Sequence, residues 1–153
     1  SFYEELLFRG YILNNLLASI NKYIALMISS VLFVIIHLIN PHLNLISFIN
    51  ILLAGILLGL PYIYTKNLWF SFTFHFSWNF FQGTIFGYNV SGLKGYSLIT
   101  QQPNGNTIWN GGDFGFEGSI ICTIVIIGSI YLLYLFYQRQ LKQERGSLNL
   151  NIV

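Results

Sequence analysis

Four long apolar stretches, approximately Tyr23–Asn40, Leu43–Tyr64, Leu68–Gly87 and Ser119–Tyr137, decide what this chain can fold into. A helix that spans a bilayer needs about 20 predominantly apolar residues, and each stretch comes close to that length. Charge agrees with this: only 8% of the residues are charged and 54% are hydrophobic, whereas a soluble domain carries about 25% charged residues. The sequence therefore predicts an all-α, polytopic transmembrane bundle with about five helices. The additional helix, Phe2–Ala18, is amphipathic and holds Glu4, Glu5 and Arg9. Residues 1–145 read as one intramembrane domain and 146–153 as a loose polar tail. The chain opens on Ser1 with the acidic motif following at once, so we expect an N-terminally truncated piece whose upstream membrane helices are missing.

Short connectors at Pro41-His42 and Thr65-Lys66-Asn67 predict antiparallel neighbours, and Ser19-Ile20-Asn21-Lys22 marks a turn. Gly55 and Gly59 form a small-xxx-small pair that favours close packing inside the bundle. Tyr88–Gly118 turns polar and glycine-rich, and a loop of about 30 residues is long enough to carry function. Asp113 and Glu117 stand just before the last span, where acids favour the positive end of the helix dipole. Cys122 is the sole cysteine, which excludes an intrachain disulfide. A net charge of +2 without a basic run excludes nucleic acid as a partner; the partners implied are a lipid bilayer and a protein or peptide substrate. Arg139, Lys142 and Arg145 point to a cytoplasmic C-terminus and a multi-pass protein of the cell membrane.

The charged and polar residues inside these helices are costly, about 2.5–3.5 kcal/mol for a charge at a helix centre, and such residues mark functional sites. Glu5 and Arg9 are spaced i,i+4 and can pair, while Glu4 lies about 100° away around the helix. His37 sits deep in an apolar run; His75 and Asn79 share a face at i,i+4. Taken singly, a histidine or an asparagine here can be interhelical glue, and Glu5–Arg9 a structural ion pair. His42, in a connector after Pro41, reads as a solvated interface residue. Counting from the turn near residue 20 puts Glu4 and His37 at similar depth. The same counting leaves His75 off that level by about 11 residues, roughly 16 Å.

Glu4-Glu5 with Arg9, Phe33 with His37, and His75 with Asn79, in that order, resemble the three motifs of the CPBP family. These are the CAAX-protease and bacteriocin-processing intramembrane proteases, also called the Abi family. Through its motifs the resemblance covers residues 1 to about 80, and Val90-Ser91-Gly92 and Gly111–Glu117 are similar to the glycine-rich segment before the last helix of bacterial members. It implies a CAAX-type glutamic endopeptidase. Glu4 is then the general base that activates water with His37, Glu5 and Arg9 the supporting pair, and His75 and Asn79 the oxyanion donors. It also implies no cofactor. Two other possibilities stay open at this stage. One is a zinc-dependent membrane peptidase, since Glu and two His are plausible ligands, although no H-E-x-x-H occurs. The other is a non-catalytic protein, either a proton or ion relay or an immunity scaffold.

Overall fold

The structure is a computed structural model that describes residues 1–101 and 107–150, with side chains described to residue 143. Residues 102–106, part of the predicted loop, and 151–153, part of the predicted tail, lie outside the described residues. Among the described residues the protein is an all-α helical bundle without strands; Val90 and Leu93 form an isolated bridge.

Helix α1 runs through Phe2–Glu5, Leu6–Leu13 and Asn14–Leu17, its middle eight residues wound as π-helix. Such wide turns are rare and recur at functional sites. Helix α2, Lys22–Ile36, starts where the Asn21 side chain accepts the Tyr23 N–H. It tightens into a 3-10 turn, His37–Ile39, and Asn40 is extended. Pro41 accounts for both, because a proline drives the residue before it out of the helical region. Helix α3, Leu45–Thr65, opens with a reciprocal Asn44–Ser47 capping box and closes on Lys66 in a left-handed conformation. Helix α4, Leu68–Asn79, continues as a π-helical stretch, Phe80–Ile85. A short α5, Thr107–Asn110, and two 3-10 turns lead into α6, Ile120–Leu150.

Three segments are long and apolar enough to cross a membrane, Lys22–Ile39, Leu45–Thr65 and Ile120–Gln143. Leu68–Gly87, the fourth predicted span, is not among them. His75 and Asn79 of α4 and Gln82 of its π-helical continuation make polar contacts, and these residues lower the hydropathy of this segment. The last helix runs beyond the predicted span, so residues 146–150, expected as loose tail, continue α6.

Helix α3 is the axle of the bundle: 61% of its span is buried, against 33% for Lys22–Ile39 and 11% for Ile120–Gln143. Leu13, Ala25, Leu26, Leu60 and Ile63 close one end of the core; Phe8, Phe33, Val34, Ile51 and Phe114 fill the end nearer the acidic motif. Gly55 lets α2 lie against α3, since a Cβ there would sit 2.9 Å from Ser30 Cβ and 3.0 Å from Ser30 Cα. The small-xxx-small pair thus packs within the bundle. Gly55→Val is expected to cost about 1–3 kcal/mol through overpacking. Gly128→Ala, with open space around it, is expected to unfold like the wild type. Detergent–denaturant unfolding of both variants checks this, and equal midpoints would refute the close approach of α2.

Candidate active site

The site is built on one buried charge chain. Glu5 and Arg9 are each 1% exposed. Glu5 Oε1 accepts from Arg9 Nη1 at 2.9 Å and from His75 Nδ1 at 2.8 Å. Arg9 Nη2 donates to the Gly55 carbonyl at 3.0 Å, and the guanidinium stacks 4.6 Å from the centre of the Phe33 ring. Among the described residues, Glu5 Oε2 and Arg9 Nε have no hydrogen-bond partner. A carboxylate only accepts, so the proton in the His75 contact belongs to Nδ1. That turns Nε2 towards Glu4, whose Oε2 lies 3.7 Å away.

Counting along the chain left His75 out of reach of Glu4; the structure corrects this. Helix α4 is displaced along the bundle axis: Leu68, at its start, packs near Gly10, where a Cβ would meet Leu68 Cδ1 at 3.3 Å. From that level α1 reaches back to Glu4 and α4 runs down to His75 over nearly equal lengths. The Asn79 side-chain amide on Ser1 Oγ, at 3.1 Å, keeps the same register lower down. Ser71 holds α4 to α3 through a 2.7 Å bond to the Leu58 carbonyl.

Glu4, His37, His75 and Asn79 line one cavity of about 700 Å³, together with loop residues that include Val90, Ser91 and Leu93. Glu4 keeps 36% of its side chain exposed there, in contrast to its buried neighbour. His37 Nδ1 is 2.7 Å from the Phe33 carbonyl, so Nδ1 carries the proton and a neutral ring has its lone pair on Nε2. Its ring packs on Phe33, the same ring that faces Arg9. The Asn79 side-chain amide donates to Ser1 Oγ at 3.1 Å. His42 lies on the surface connector with a positive φ of 61° and takes no part. All six motif residues thus converge, four on the cavity and two directly behind it.

Sequence reasoning missed the residues that hold the loop. Glu117 is not simply an acid at a helix start: its Oε2 accepts from the backbone N–H and the hydroxyl of Ser91 at 2.7 and 2.8 Å, and its Oε1 from the Trp78 indole at 3.1 Å. Asn50, buried on α3, donates to the carbonyls of Glu117 and Ser119 and accepts from Thr123. A polar residue in the middle of an apolar helix was the available signal for Asn50. No local pattern pairs Glu117 with Ser91 across 26 positions.

Among the described residues, no group of three or more His, Cys, Asp or Glu side chains is arranged to hold a metal ion. No curated protein and no solved structure matches the chain. A family model described as "Type II CAAX prenyl endopeptidase Rce1-like" matches residues 1–81. That stretch is more than half of the 153 residues and contains all six motif positions. With its apolar helices and its motif residues gathered on one cavity, the chain belongs to the Rce1-like family of type II CAAX prenyl endopeptidases.

Proposed function

We propose that the protein is a glutamic intramembrane endopeptidase that hydrolyses a peptide bond of a protein or peptide substrate, in a multi-pass protein of the cell membrane. The observation that carries this is the single cavity shared by Glu4, His37, His75 and Asn79 in a chain of this family. Glu4 takes a proton from a water molecule, which His37 Nε2 orients. The water oxygen attacks the carbonyl carbon, and the oxyanion receives hydrogen bonds from Asn79 Nδ2 and from His75. For that donation the His75 ring carries protons on both nitrogens, one held by Glu5 and one offered to the oxyanion. When the tetrahedral intermediate collapses, the C–N bond breaks and Glu4 returns its proton to the leaving amine. The buried Glu5–Arg9 pair keeps Nδ1 of His75 occupied and its ring in place; it does not touch the substrate.

The reaction proposed uses no metal. The test is cleavage of a peptide library, prenylated and unprenylated, by the full-length protein reconstituted in liposomes and read by mass spectrometry. Cleavage is expected to persist with a chelator, in protein free of bound metal. Chelator-sensitive activity restored by zinc would reject the metal-free reaction, and absence of cleavage would reject proteolysis. Asn79→Ala is expected to lower kcat about 10²–10³-fold, the usual cost of one oxyanion donor. An unchanged kcat in that variant would remove Asn79 from the role.

A further inference from the structure

Glu117 is a carboxylate that the reaction just described does not use, yet it touches two walls of the cavity. One wall is the loop, through Ser91, which lines the cavity. The other is α4, through Trp78, which lies between His75 and Asn79 in sequence and directly precedes Asn79. All three bonds are made by one side chain, and Ser91 donates twice. Among the described residues, Glu117 forms no ion pair, so these donors are what its charge is set against. Hydrogen bonds to an ionised group are shorter and stronger than neutral ones.

The carboxylate is itself fixed. Asn50 on α3 holds the Glu117 and Ser119 carbonyls at 2.7 and 2.9 Å, and Thr123 on α6 donates to Asn50 Oδ1 at 2.6 Å. Ser91 is held in a strained place, with φ of 48°, and the following Gly92 has φ of 81°. Gly92 also donates to the Phe114 carbonyl at 2.8 Å, and a Cβ on it would run into the Pro41 carbonyl. The loop therefore enters the cavity wall through a narrow fit whose side-chain anchor is Glu117. A smaller cavity of about 70 Å³ is lined by His37, His75, Ser91, Trp78 and Glu117 among others. The anchor thus lies directly behind the two histidines.

We propose that Glu117 is a positioning residue. Its bond to Trp78 sets the α4 segment that carries His75 and Asn79, and its two bonds to Ser91 set the loop that confines the substrate. This rests on the proteolytic reading of the cavity. Small misplacements of reacting groups are costly, about 10²-fold for a shift of 1 Å, so the two ties should separate in kinetics.

The experiment uses the full-length reconstituted protein with a cleaved peptide and four variants. Trp78→Phe removes the α4 tie and leaves the loop tie; kcat is expected to fall about tenfold with KM little changed. Ser91→Gly keeps the positive φ without strain and loses only the hydroxyl tie; KM is expected to rise about fivefold with kcat near wild type. In Glu117→Gln the amide oxygen still accepts from Trp78 while its NH2 faces the Ser91 N–H. It is expected to behave like Ser91→Gly with a larger KM, and Glu117→Ala to combine both defects. A purely structural role predicts instead that the variants lose folded yield while the folded fraction keeps wild-type kcat and KM, and that result overturns the proposal. Two readouts do not depend on proteolysis. The Trp78 indole proton resonance, assigned by its loss in Trp78→Phe, should move upfield in Glu117→Ala and by a smaller amount in Glu117→Gln, whose neutral oxygen is the weaker acceptor. Amide exchange across residues 90–96 should accelerate in Glu117→Ala. If the wild type cleaves no peptide, the proteolytic reading fails; unchanged indole shift and exchange in Glu117→Ala then reject the anchor itself.

Discussion

Glu4→Gln is expected to lower kcat by about 10²–10⁴-fold, the usual contribution of a positioned general base, while leaving the fold intact. The two halves of that expectation come from different observations. The Glu4 side chain is 36% exposed on the cavity, and among the described residues its polar contacts are two loose ion pairs, with His75 Nε2 at 3.7 Å and the Ser1 amino group at 3.9 Å. Replacing it with its amide removes the charge and basicity but hardly alters the shape, and substitutions at such exposed positions usually stay within about 0.5 kcal/mol. Activity nonetheless depends on a lone pair basic enough to take a proton from water, which an amide lacks. Glu5→Gln supplies the contrast. Its oxygen serves Arg9 and His75 from a buried position, so folded yield and activity should fall together. Both variants are measured in liposomes, by initial rates per folded molecule and by unfolding midpoint. If Glu4→Gln keeps more than about a tenth of the wild-type kcat, Glu4 is not the base.

The division between these two glutamates was partly legible from spacing. An i,i+4 pair of opposite charge predicts Glu5 with Arg9, because the two lie on one face of any helix. Apolar runs fixed the fold class and the approximate limits of α2 and α3, where hydrophobic length decides the outcome. Helix α4 escaped that logic in two ways. Its polar positions lower its hydropathy, and its depth depends on how far it slides along α1, which a connector of two or three residues does not determine. That slide, seen in Leu68 against Gly10, brings His75 to Glu5. The loop was legible only as a loop. Its anchor joins Glu117 to Ser91 and Trp78, contacts created by tertiary packing without a local period.

Arg9→Met is expected to have the largest effect on stability. Removing one member of a buried pair costs about 3–5 kcal/mol because the other charge is left uncompensated, against a total stability of about 5–15 kcal/mol for a domain. Here the loss is compounded. Arg9 also holds the Gly55 carbonyl and covers the Phe33 ring, so its removal loosens the contact of α1 with both α2 and α3. Folded yield should drop severely, read by size exclusion in detergent and by denaturant midpoint. The double variant Glu5→Leu/Arg9→Met removes both charges, and well-packed apolar replacements of a buried pair are often neutral or stabilising. It should recover much of the lost stability. Activity should not return with it, because His75 Nδ1 then faces no carboxylate and the ring loses the contact that orients Nε2. That separation is the point of the experiment. Recovery of activity along with stability would mean that the pair only holds the helices together; a single Arg9→Met variant with wild-type stability would mean that the buried bridge carries neither role.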